Sequence, residues 1–123
     1  MHMQLHTTVF RVANLERSRR WYEEKLGMTV VYEDIHFKLI SLEKGGNGRI
    51  SLWEMRPGEA PTATAKEMAY IVFLTQDALE DYRILVERGA NVSPIEEYQQ
   101  GLRMFWITDP DNHRHCVIEF LPE

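Results

Sequence analysis

A strand, a helix of about three turns and a glycine stop occur twice in this 123-residue chain. The two stops, Leu26-Gly27-Met28-Thr29-Val30 and Arg88-Gly89-Ala90-Asn91-Val92, lie 62 residues apart. Such a repeat constrains the fold more than any single motif, because each half must supply the same supersecondary unit.

In the first half, Leu5 to Val12 is rich in Thr, Val and Phe and reads as a strand. Alternation puts Thr7, Val9 and Arg11 on one face and His6, Thr8, Phe10 and Val12 on the other. Asn14 is a helix N-cap residue, with Glu16 in the first turn where the dipole favours negative charge. Leu15, Ser18, Tyr22 and Leu26 share one helical face, and Gly27 ends it. Met28 to Glu33 and Phe37 to Leu42 read as strands. Lys44-Gly45-Gly46-Asn47-Gly48 is a hairpin signal, and Arg49 to Met55 is the strand that follows. On that strand Ser51, Trp53 and Met55 face one way, and Ile50, Leu52 and Glu54 the other.

Residues 57–67 carry Pro57, Gly58 and Pro61 with no apolar period, and read as a linker between modules 1–56 and 68–123. The order then repeats. Met68 to Thr75 reads as a strand, and Asp77 with Glu80 matches a capping box. Leu79, Tyr82, Leu85 and Val86 are assigned to the packed helical face. Ala90 to Pro94 and Gly101 to Thr108 follow as strands, and Ile95 to Gln100 is open between strand and loop. Asp109-Pro110-Asp111-Asn112 is dense turn chemistry ahead of a last strand, Arg114 to Leu121. The pattern predicts an α+β fold of two tandem βαβββ modules.

The formal net charge of −5 gives no basic nucleic-acid footprint. One cysteine excludes an intrachain disulfide, and no apolar run reaches membrane-spanning length. A cytoplasmic location is the default expectation. Met1-His2-Met3 reads equally as a native start or an added one.

Val12-Ala13-Asn14-Leu15-Glu16-Arg17-Ser18, then Trp21-Tyr22 and Leu26-Gly27-Met28, resembles the opening pattern of the vicinal oxygen chelate superfamily. That group holds the glyoxalases, the bleomycin and fosfomycin resistance proteins and the extradiol dioxygenases. Thr108-Asp109-Pro110-Asp111-Asn112 resembles its closing Asp-Pro-Asp-Gly-Asn. The resemblance implies sheets curling around a cleft, and a homodimer. Its metal-using members hold a divalent ion with four inward residues, usually His, Gln or Glu. The positions that match here are Thr7, Ser51, Tyr70 and Cys116, none a strong set for such an ion. The metal site is therefore expected to be degenerate and no cofactor is expected. A divalent metal would require a register slip, such as a β-bulge that turned His6 inward.

Other residues carry two readings each. His113, His115 and Glu119 share a strand face and suggest a metal cluster. The favoured reading is a turn and outer-strand surface with imidazoles bonded to water or backbone. Cys116 is a nucleophile if a cation such as Arg11 lowers its pKa, and otherwise a small buried hydrophobe. Arg11 matches a glyoxalase arginine that grips a carboxylate, and reads equally as an arginine at the cavity mouth paired with a local acid. Trp53, Tyr70, Trp106, Met55 and Met104 are candidates for an aromatic pocket, with Trp53 and Tyr70 inward by parity.

The expected function is metal-independent binding of a small planar or cationic molecule. The expected ligand-binding residues are Thr7, Arg11, Ser51, Trp53, Tyr70 and Cys116. One alternative is a divergent glyoxalase-like or dioxygenase-like enzyme using Tyr70 as acid/base, Cys116 as nucleophile and Arg11 as anchor. The other is an interaction module with a vestigial cleft.

Overall fold

The computed structural model describes residues 1–59, 70–98 and 101–122. Most of the predicted linker, the first two residues of the strand predicted from Met68, and Gln99-Gln100 lie outside these residues. The chain divides into two compact units, Met1–Pro61 and Thr62–Glu123.

The first unit runs β1 (Thr8–Val12), α1 (Leu15–Glu24), β2 (Thr29–Asp34), β3 (Leu39–Lys44) and β4 (Asn47–Glu54). Its sheet order is β1-β4-β3-β2, with β1 parallel to β4 and the other pairs antiparallel. Alternation works as predicted. Phe10, Val12, Ile40, Leu42, Ile50 and Leu52 are buried, as are Ser18, Tyr22 and Leu26 of the helical segment. Asn14 Oδ1 accepts the Arg17 N–H at 3.0 Å, so the predicted cap forms. Gly45 and Gly46 take φ of +60° and +77° between paired Lys44 and Asn47, as a two-residue primed hairpin requires.

The second unit runs β5 (Val72–Leu74), α2 (Ala78–Glu87), β6 (Asn91–Val92), β7 (Glu96–Tyr98), β8 (Leu102–Thr108) and β9 (Arg114–Phe120). Its sheet order is β5-β9-β8-β6, and β7 also pairs with β8. The open segment at Ile95 thus contains a strand. β6 and β7 are one broken edge, separated at Pro94, which has no N–H to give the ladder. Ser93 bridges the break: its Oγ accepts the Trp106 N–H at 2.8 Å.

The packed face of α2 is shifted from the predicted one. Ala78 and Leu85 are buried, whereas Leu79 and Val86 are about half exposed. Helix phase is set by its anchored first residue: the Ala78 N–H donates to Glu119 Oε1 at 2.9 Å. The equivalent bond in the first unit runs from the Leu15 N–H to Glu54 Oε1, also 2.9 Å. Each helix is thus pinned at its first amide by a glutamate near the end of its module's last strand. This repeated contact supports the duplication independently of the glycine stops.

Glu119→Ala is expected to lower unfolding free energy by about 2 kcal/mol, because it strands a buried amide donor. Glu119→Gln keeps an acceptor oxygen and should lose less than half of that. Urea denaturation of the two variants checks the order.

Candidate functional site

In the first unit, the sheet face opposite Phe10, Val12, Ile50 and Leu52 carries Thr7, Arg11, Ser41, Ser51 and Trp53, of which Ser41 and Ser51 are themselves buried. Thr7 Oγ1 lies 2.8 Å from Ser51 Oγ, which lies 2.7 Å from Ser41 Oγ. The three hydroxyls form a ladder across β1, β4 and β3. Arg11 stacks over the Trp53 ring at 4.0 Å, and its Nη2 pairs with Glu59 at 3.0 Å. Arg56 donates to the same carboxylate through its backbone N–H at 2.9 Å and its Nε at 3.0 Å. The Arg56 bonds first, then Arg11, hold the Glu59 carboxyl down to about 2. Trp53 Nε1–H donates to the Phe37 carbonyl at 3.0 Å. Of the two readings of Arg11, pairing with a local acid is the one the structure shows, and Trp53 already carries a guanidinium on its ring.

In the second unit, the corresponding face carries Tyr70, Trp106, Arg114 and Cys116. Trp106 is directly opposite Cys116 in the β8–β9 ladder, and Val72 is the β5 partner of Cys116. In the first unit Val9 pairs with Ser51 in the same parallel arrangement. The structure thus makes Ser51 and Cys116 equivalent, as the sequence register had them. Tyr70 and Trp106 meet edge to face, with centroids 5.0 Å apart at 70°. Arg114 lies over Trp106 at 4.8 Å. Cys116 is buried, and burial pushes its thiol up, the opposite of what an activated nucleophile needs.

The histidines settle differently from the surface reading. His115 is fully buried, and its Nδ1 accepts the Ile71 N–H at 3.1 Å. Its ring faces the helix side of the sheet, which parity alone could not separate from an outer surface. Burial first, and then its neighbour His113, push its pKa down to about 4, with Asp109 opposing. His113 Nδ1 lies 2.8 Å from Asp109 Oδ2. Asp109 also accepts the backbone N–H groups of Asp111 and His113, so the predicted turn is built around its carboxylate. Glu119 is occupied at the start of α2. Among the described residues, no group of three His, Cys, Asp or Glu side chains is placed to hold a metal ion.

The profile of the Glyoxalase/Bleomycin resistance protein/Dioxygenase superfamily matches residues 4–117. The chain belongs to this superfamily. Its fold is that of a superfamily member from Sphaerobacter thermophilus, at 24% identity and a TM-score of 0.77 over 95% of this chain and 97% of that one. An antibiotic-binding protein from Streptomyces sp. CB03234 is similar at 22% identity and TM-score 0.71, covering 97% and 98%. A fosfomycin resistance protein from Listeria monocytogenes is similar at 19% identity and TM-score 0.75, covering 97% and 94%. Among curated proteins, none matches the sequence.

The superfamily's metal positions fit a divalent ion poorly here. Thr7 and Ser51 are neutral hydroxyls bonded to each other. Tyr70 presents a phenol, and Cys116 a buried thiol whose proton is held more tightly than usual. None brings a carboxylate or imidazole. Sequence reasoning missed Arg114 and Ser41. The signal for each was available: Arg114 shares parity with Cys116, and Ser41 lies opposite Ser51 across the Gly-Gly hairpin.

Proposed function

We propose that this protein binds a small planar molecule on the aromatic face of its second unit, without a metal ion. The observation that carries this is the Tyr70–Trp106 pair, with Tyr70 still 49% exposed on a sheet face rather than packed into a core. A large aromatic ring half open to water, as Tyr70 is, is where stacking and apolar burial have most to gain. The exposed side chains of Val72 and Leu74 continue the apolar surface along β5. The similarity to an antibiotic-binding protein is consistent with this class of ligand.

A thermal-shift screen of planar heteroaromatic compounds tests the reading. A ligand present at about a hundred times its Kd should stabilise the folded state by about 3 kcal/mol. Hits should persist in chelator and vanish in Tyr70→Ala and Trp106→Ala. Equal shifts in wild type and both variants would place the site elsewhere. Hits abolished by chelator would restore a metal to the mechanism.

A further inference from the structure

We propose that the ligand of this face is an aromatic anion and that Arg114 is its charge anchor, an inference that rests on the aromatic-face reading above. Each unit stacks an arginine on a tryptophan, but the two guanidiniums differ in what else they meet. Arg11 is neutralised by Glu59 at 3.0 Å. Arg114 is exposed, and among the described residues it has no carboxylate partner.

The surrounding face makes this single charge specific. Along β5, β9 and β8 the side chains of this parity are apolar, aromatic or neutral, and Arg114 is the sole charge. Glu96, opposite Met104 on β7, accepts the Tyr98 hydroxyl. A ring laid against Tyr70 and Trp106 would bring an acidic substituent to the guanidinium, which sits 4.8 Å from the Trp106 centroid. Stacking uses the flat of the guanidinium and leaves its edge free to donate two parallel N–H bonds to a carboxylate. A cationic ring would instead meet like charge on β9, while the acid described on this face, Glu96, lies out on β7 and is bonded to the Tyr98 hydroxyl. The chain's net charge of −5 acts at longer range and is screened beyond about 8 Å at physiological salt.

Calorimetric titration with three probes that share the naphthalene ring, naphthoate, neutral naphthol and cationic naphthylmethylamine, tests this. Naphthoate should bind wild type at least about tenfold more tightly than the other two, the effect of one charge-assisted contact. Arg114→Gln should bring naphthoate to within about twofold of naphthol. Arg20→Gln, an exposed helix position with the same change in charge, should leave the preference intact. Equal affinity for the three probes, a preference that survives Arg114→Gln, or one lost instead in Arg11→Gln would each overturn the assignment. If naphthol and naphthoate bind equally and both fail in Trp106→Ala, the anion anchor is wrong and the aromatic site stands. If no probe binds, both are wrong.

Discussion

Phe105→Ala is expected to cost about 3–5 kcal/mol of unfolding free energy, the range for emptying a large buried aromatic site. Phe105 is fully buried and meets Tyr82 of α2 edge to face, centroids 5.4 Å apart at 85°. It lies opposite Val117, itself buried, in the β8–β9 ladder. Domains of this size hold about 5–15 kcal/mol in total, so the loss would consume a large part of the stability. Urea denaturation followed by far-ultraviolet circular dichroism measures it. Its chain neighbours Met104 and Trp106 point to the other face, so Trp106→Ala should cost much less and act mainly on binding. A Phe105→Ala cost below about 1 kcal/mol would mean that α2 does not pack on β8 as described.

The grouping of Met104 with Trp106, though not the side of the sheet they take, was legible in the sequence, because strand parity follows from backbone geometry alone. So were the Asn14 and Asp77 caps, the Gly27 and Gly89 stops and the Gly-Gly hairpin, which depend on neighbours a few residues away. What local pattern could not supply was partnership across the chain. Arg11 stayed open between an anion anchor and a paired cation because its acid, Glu59, is 48 residues distant in the chain. Arg114 drew no reading at all, because its ring partner Trp106 lies across the sheet on another strand. On α2, Leu85 and Tyr82 pack as read, but Leu79 and Val86 give way to Ala78, whose N–H is held by Glu119 from the far end of the chain.

The hydroxyl ladder shows the same limit in chemical terms. Residue types alone indicated that Thr7 and Ser51 are poor ligands for a divalent ion. They did not indicate that the two hydroxyls already bond one another, with Ser41 as a third member. An ion entering there would have to break those bonds as well as shed its own water, for weaker neutral donors. The second unit does not repeat the ladder: the residue opposite Cys116 is Trp106, where the one opposite Ser51 is Ser41. The duplication thus preserved the frame and exchanged polar cross-strand bonding for an aromatic surface, and the candidate ligand site lies on that exchanged half.

Stability should fall as pH drops from about 6.5 towards 4, with His115 a principal cause. The folded protein holds this imidazole neutral, with Nδ1 accepting the Ile71 N–H and a pKa of about 4. The unfolded chain binds the proton near the ordinary value of about 6.5. Above that value neither state is protonated and the contribution of His115 is fully present. Between the two values only the unfolded state gains a proton, so stability is lost as pH falls, at up to about 1.4 kcal/mol per pH unit. By pH 4.5 the loss should reach about 2–3 kcal/mol. His113 acts in the opposite sense. Burial lowers its pKa, but the hydrogen bond and charge of Asp109 outweigh this and raise it. Its contribution is present below about 6.5 and fades as pH rises through the raised value, so it partly masks the His115 effect in wild type. His115→Asn separates the two, since an amide oxygen can accept the Ile71 N–H without titrating. Urea denaturation at pH 7.5 and 4.5 should show a smaller loss in this variant than in wild type, by about 2–3 kcal/mol, even if the smaller side chain lowers stability at both. Parallel pH profiles would mean that His115 is protonated in the folded state. The Ile71 N–H would then need another acceptor, and the start of β5 beside Tyr70 would be held differently.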